Sequence, residues 1–305
     1  LKLTAGGNYS FTGSSDIQMS ANFDSAQVFS AYIPLDSIFG SGKVNAHLLG
    51  KHDSLSFTAS VNLQKAGFAK ISAGNLAVDV KGQMAPEDTT FIANARVANF
   101  KAGDFELDSI VASANYFIDS LQIEAQAHGN DFQTELKSEI ALDKVVKIVL
   151  SEWKLNFKNQ NLELTDAPAL IEIDSLEYRL SNFKMTSDNS DSAQYIKAGG
   201  VLSQYGEEDF QIEIANINIV GLLESLGVEA DISGRIDASA TLVGTARSPE
   251  MNGNLTIDKA LAYGYQFSEF GGEFNLKDDR LNFDAQIVPP DTGLLEINAN
   301  IPLEA

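Results

Sequence analysis

The sequence predicts an all-β protein: a long antiparallel, twisted sheet of hairpins, greasy on one face and wet on the other. Apolar residues fall at every second position through most of the 305 residues, as at Leu55, Phe57, Ala59, Val61 and Leu63. The intervening positions are Asn, Asp, Glu, Lys, Gln, Ser and Thr, and doubly covered parallel strands would instead be apolar at nearly every position. Turn-forming Gly, Asn, Asp and Pro recur at strand-length intervals.

Taken in order, the same alternation appears at Leu76, Val78 and Val80, and at Leu121, Ile123, Ala125 and Ala127. It continues through Phe132, Leu136, Ile140 and Leu142, then Trp153, Leu155 and Phe157, then Leu176, Tyr178 and Leu180. Phe210, Ile212 and Ile214 follow, and the last clear run is Leu281, Phe283, Ala285 and Ile287. Gly234, Gly244, Gly253 and Gly264 are read as turn punctuation. Helical spacing occurs twice: Ile219–Val228 brings Leu222, Leu223 and Leu226 to one side, and Asp24–Ile33 is a weaker short helix.

These two segments suggest a pseudo-repeat. "ANFD" precedes one helix and "ANIN" the other, and each is followed by a Ser-Gly-basic motif, "SGKVNAHLLG" from Ser41 and "SGRIDASATLVG" from Ser233. The expectation is one continuous elongated domain over residues 1–305, with pseudo-repeat units about 1–150 and 151–305. The charged segment "LDKVVKIVLSEW" is the expected junction of two sub-blocks.

Roughly 18 to 22 strands are expected, while open sheets rarely exceed about ten without curling, splitting or closing. Three solutions bury the greasy face: a closed barrel, a sandwich packed on itself, or a sheet curled lengthwise into a trough filled by ligand. The aromatic girdles of a membrane barrel are not evident among eight Tyr and one Trp. Short strands with few long connections favour a rung-by-rung object.

Composition narrows the function. A net charge of −21 gives no counterion-release gain on a phosphate backbone, so nucleic acid is not an expected partner. The absence of cysteine removes disulfides, thiolate metal sites and Cys nucleophiles. No stretch reaches the roughly 18 to 20 apolar residues of a membrane-spanning helix. The ends read as strands in progress, so an internal piece of a longer protein is expected, its membrane anchor lying elsewhere.

Catalytic chemistry is not expected. His47, His52 and His128 lack ligand spacing, and "FGSGKV" at Phe39–Val44 lacks the earlier Gly and final Ser/Thr of a phosphate loop. "GEED" at Gly206–Asp209 reads as a turn tip, and the sequons at Asn8 and Asn254 as accidental. No metal site and no cofactor are predicted.

The ordered series "NINIVGLLESL", "EADISGRIDASATLVGTARSPEMNGNLTI" and "FSEFGGEFNLKDDRLNF" resembles the TamB/AsmA-like family of Gram-negative envelope proteins. The family's module is a leucine-bearing short helix, here Leu222–Leu226, then a Gly-started strand at Ile232–Gly234. Its later motifs match Gly244–Thr245, Ser248–Pro249, Gly253–Ile257, Gly272–Phe274 and Leu281–Phe283. The likeness is good across about 150–305 and weaker before it, and "WKLNFKNQNLEL" resembles Bacteroidota-type members.

The resemblance implies a β-taco with an apolar groove along its length. It implies a protein anchored in the inner membrane, crossing the periplasm towards an outer-membrane partner of the Omp85 family. Two roles come with it: passage of phospholipids between membranes, and assembly of outer-membrane or secreted proteins with that partner. The expected wall residues, contacting phospholipid acyl chains, are Ile236, Leu242, Leu255, Ile257, Phe274, Leu276, Leu281, Phe283 and Ile287. For each, core packing in a sandwich is the alternative, and a structural or adhesin-like β-domain is the corresponding rival function.

Overall fold

The computed structural model describes residues 1–29, 38–51, 53–85, 88–103, 105–130, 132–157, 160–187, 194–220, 223, 231–262, 264–290 and 293–302. Among them are 21 strands, every pairing in register being antiparallel, and almost no helix. The chain divides into two compact units, Leu1–Leu142 and Asp143–Ala305. The division falls at the start of "LDKVVKIVLSEW".

The first unit is a meander of nine strands: β1 (Lys2–Asn8), β2 (Ser14–Phe23), β3 (Phe39–Lys51), β4 (Ser54–Phe68), β5 (Ile71–Met84), β6 (Thr90–Ala102), β7 (Phe105–Phe117), β8 (Ser120–Gly129) and β9 (Phe132–Ala141). Each pairs with the next, as expected when short turns join consecutive hairpins. Directly opposed residues share a face, so the register converts alternation along each strand into rows across the strands. One row runs Leu48, Phe57, Gly82, Phe91, Tyr116 and Leu121. The next runs Ala46, Ala59, Val80, Ala93, Ala114 and Ile123, and a third Val44, Val61, Val78, Ala95, Ala112 and Ala125. "FGSGKV", the phosphate-loop lookalike, is part of β3.

The second unit holds β10 (Val146–Phe157), β11 (Gln160–Leu164), β12 (Ala169–Ile173), β13 (Glu177–Ser187), β14 (Gln194–Ser203), β15 (Glu208–Asn218), β16 (Ile232–Thr245), β17 (Ser248–Ala262), β18 (Tyr265–Gln266), β19 (Glu269–Lys277), β20 (Arg280–Val288) and β21 (Leu295–Pro302). Here β11 and β12 share one ladder position between β10 and β13. The Ala167–Pro168 peptide between them is cis. Deep burial surrounds that break: Leu162 and Ala169 are fully covered, and Leu150, Phe157 and Met185 nearly so.

The four glycines taken as turn punctuation divide differently. Only Gly264 stands in a turn; Gly234, Gly244 and Gly253 lie within β16 and β17. The β16–β17 reversal is made instead by Ala246 and Arg247, between the paired Thr245 and Ser248. Gly234 faces a β-bulge: register shifts between Ser233 and Arg235, opposite Lys259 in the left-handed region at φ 52°.

The same device recurs in the first unit. Gly40, at φ 123°, faces a register shift opposite Lys65 at φ 50°, and in both units the left-handed lysine precedes an alanine, Ala66 or Ala260. The equivalence pairs Gly40 with Gly234, two residues away from the Ser-Gly alignment that the sequence suggests.

Of the two helix expectations, Asp24–Ile33 lies within the described residues only as far as Phe29, and there it forms a 3-10 turn at Ala26–Phe29, packed against β3. The expectation at Ile219–Val228 falls largely outside the described residues; Ile219, Val220 and Leu223 are helical.

Candidate functional site

The nine predicted wall residues lie on one face of β16, β17, β19 and β20, because the register brings them into rows. Ile236, Ile257, Phe270 and Ile287 form the first. Ala238, Leu255, Gly272 and Ala285 form the second, and Ala240, Gly253, Phe274 and Phe283 the third. The fourth is Leu242, Met251, Leu276 and Leu281, continued on β21 by Ile301. Phe270 and Met251 complete these rows and were missed, although each sits at an alternating position beside a predicted residue.

Glycine on this face makes room for aromatic rings. A Cβ at Gly253 would lie 2.3 Å from Phe274 Cζ, and one at Gly272 would lie 3.2 Å from the Phe283 ring. In the first unit the arrangement repeats, with Gly82 flanked by Phe57 and Phe91, and Phe91 stacks on Tyr116 at 5.1 Å.

Burial is uneven. Ile257 and Ala260 are buried with Ile219, and Leu223, Ile232, Ile236, Leu255, Phe267 and Phe270 pack against them. The helical turn therefore seats on one end of the face, and Ile236, Leu255 and Ile257 belong to that packed cluster. Leu242, Phe274, Leu276, Leu281, Phe283 and Ile287 are only half-buried. Among the described residues every substantial contact between elements joins ladder neighbours, apart from the 3-10 turn on β3. These half-buried side chains realise only part of the roughly 1.5–3 kcal/mol that full burial of a Leu or Phe supplies.

The opposite face is polar and cross-linked between strands. Ser20 Oγ donates to Asn45 Oδ1 at 3.1 Å, and Asn45 Nδ2 donates to Ser60 Oγ at 3.1 Å. His47 Nε2 and Asp16 Oδ1 are 2.9 Å apart, and Ser239 Oγ donates to Asn254 Oδ1 at 2.8 Å. A hollow of about 1050 Å³ in the first unit is lined mainly by this polar face, including Gln18, Asn45, His47, Asp79 and Lys81. A smaller one of about 340 Å³ in the second unit includes Lys197, Gln211, Glu213 and Thr241. Right-handed twist makes a sheet saddle-shaped, concave along one diagonal on each face. The polar hollows went unforeseen because alternation distinguishes faces and is silent on curvature.

Chemistry is sparse. Among the described residues no group of three or more His, Cys, Asp or Glu could hold a metal ion. Among the described residues Asp174, Tyr195 and Lys277 are displaced from their ordinary range, each by a local surface partner. Backbone N–H groups of Leu176 and Glu177, at 2.6 and 2.8 Å, hold the Asp174 carboxyl low. A hydrogen bond to Glu213 raises Tyr195, and one to Glu250 raises Lys277. His128 is half-buried on β8 opposite Gln133, and His52 lies outside the described residues. No described helix is long and apolar enough to cross a membrane.

Comparison with family models, with curated proteins and with solved structures finds no match to this chain.

Proposed function

We propose that this chain is part of a TamB/AsmA-like envelope protein whose apolar face conducts phospholipids across the periplasm between inner and outer membrane. The observation that carries the reading is the register: apolar residues of successive strands align on one face, and six of the nine predicted wall residues on it are only half-buried. An apolar surface of that extent requires a cover, and lengthwise curling around acyl chains supplies one.

Lipid is preferred to an unfolded polypeptide. A polypeptide laid on the rows would bring peptide N–H and C=O groups against Leu, Phe and Ala side chains that cannot hydrogen-bond them. An acyl chain carries no such groups. Assembly of outer-membrane proteins with an Omp85-type partner is the alternative role, and it would work through strand edges rather than the rows.

The test is to purify the protein from cell envelopes without detergent and identify bound lipid by mass spectrometry. Stoichiometric phospholipid, lost in Leu242→Asp or Phe283→Asp variants that keep their strand circular dichroism, is the expected result. A fully folded, lipid-free protein would overturn the reading in favour of a self-filled β-domain.

A further inference from the structure

On the polar face of the first unit, two adjacent rows cross the same six strands, β1 to β6. One runs Thr4, Ser20, Asn45, Ser60, Asp79 and Asn94. The other runs Gly6, Gln18, His47, Thr58, Lys81 and Ile92. Every member of both rows lines the hollow of about 1050 Å³. Strands spaced about 4.8 Å apart give these rows a length of roughly 24 Å. The volume stands at the top of the range for small-ligand sites, about 300–1,000 Å³.

The side chains of this floor are of two kinds. Some are already held: Ser20 Oγ donates to Asn45 Oδ1, Asn45 Nδ2 donates to Ser60 Oγ, and His47 lies against Asp16. The Asn45 amide is thereby oriented. Others are free: Gln18, Thr58, Asp79, Lys81 and Asn94 are exposed and have no hydrogen-bond or ion-pair partner among the described residues. A Cβ at Gly6, opposite Gln18, would meet nothing within 4 Å. Ile92, 40% exposed, is the one aliphatic hydrocarbon side chain in the two rows.

We propose that the hollow binds a neutral oligosaccharide laid along the two rows, across the strands. A sugar hydroxyl donates and accepts together, and Ser, Thr, Asn and Gln side chains offer both functions in return. The hollow's ionisable groups are Asp16 and Asp79 against Lys81 and His47, so charges of both signs are present and no anion is favoured. An apolar ligand would desolvate the free amides and hydroxyls without replacing their hydrogen bonds. The elongated floor suits a chain of several sugars rather than one, and Ile92 offers a contact for the C–H face of a pyranose ring. The site lies on the face opposite the apolar rows, so the proposal stands whether or not lipid occupies them.

The test titrates the full chain with three neutral hexasaccharides of different linkage: chitohexaose, cellohexaose and maltohexaose. Hexagalacturonate, which is anionic, is the comparator. Calorimetry gives the affinity, and the side-chain amide resonances of Gln18, Asn45 and Asn94 report the place. Two variants probe the site. Asn45→Leu breaks the Ser20–Asn45–Ser60 relay, and Gly6→Leu fills open space in the hollow without displacing any neighbour.

Saturable binding of at least one neutral hexasaccharide is expected, with those three amide resonances shifting together. Gly6→Leu should weaken it by about tenfold or more, with strand circular dichroism unchanged. Asn45→Leu should do the same where it folds, and Gly6→Leu decides the matter where it does not. No binding of any neutral hexasaccharide at millimolar concentration overturns the proposal. Equal or tighter binding of hexagalacturonate overturns the neutral class, and binding indifferent to Gly6→Leu overturns the site.

Discussion

The ring of Phe274 occupies the space that a side chain at Gly253 would fill: a Cβ there would lie 2.3 Å from Phe274 Cζ and 2.6 Å from Ser239 O. The two residues are directly opposed on β17 and β19. A glycine that looks like a turn signal in the sequence is thus half of a cross-strand pair.

Gly253→Ala is therefore expected to destabilise the second unit by about 1–3 kcal/mol, the range for overpacking. Adding Phe274→Leu should recover part of the loss, because the ring would no longer occupy the site, while the contact with Ser239 O remains. Urea unfolding of the two single variants and the double variant measures the coupling.

The bulge glycines should resist replacement. Gly234 has φ 143°, and a Cβ would meet Ile257 Cγ2 at 2.6 Å; Gly40 has φ 123°, with Ala66 Cα at 2.8 Å. Gly234→Val and Gly40→Val should each cost about 1–3 kcal/mol or more from backbone strain, before the clash is counted. Gly6→Ala is the control: nothing lies within 4 Å of its Cβ position, so its denaturation midpoint should scarcely move.

The turn between β12 and β13 should depend on pH through Asp174. Its carboxylate accepts from the N–H groups of Leu176 and Glu177, which lowers its pKa on folding. A lowered folded pKa means that the stabilisation is fully present above the unfolded value and is lost as pH falls through the folded value. The amide resonances of Leu176 and Glu177 should shift together in that acid window. Asp174→Asn, which retains an acceptor but does not ionise there, should abolish the pH dependence.

The polar-face pair His47–Asp16 should matter little to stability. Their side chains are 38% and 48% exposed, so an ion pair there contributes about 0–1 kcal/mol even with the imidazole protonated. His47→Ala should leave the thermal midpoint nearly unchanged at neutral pH. A large loss would show that the polar face carries more of the fold than its exposure implies.

Much of the candidate face was legible because side chains alternate with period two along a strand. Leu281, Phe283, Ala285 and Ile287 sit on one face of β20 whichever strand adjoins it. The missed members, Met251 and Phe270, follow the same parity, but the intervening glycines obscured it. The end cluster was not legible, since its members come from β16, β17 and β19, from Phe267 just before β19 and from the turn around Ile219, and nothing local to any one segment specifies their meeting.

The sequence by itself determined the strand class, the antiparallel hairpin order and the assignment of residues to faces, all consequences of local alternation and turn chemistry. Only the tertiary structure decided the rest. Register shifts at Lys65, Asn182, Asn216 and Lys259 depend on two strands at once, and so does the seating of Phe274 over Gly253. Curvature, likewise, is a sum of twist and bulges over many strands, which is why the polar hollows appeared only in three dimensions.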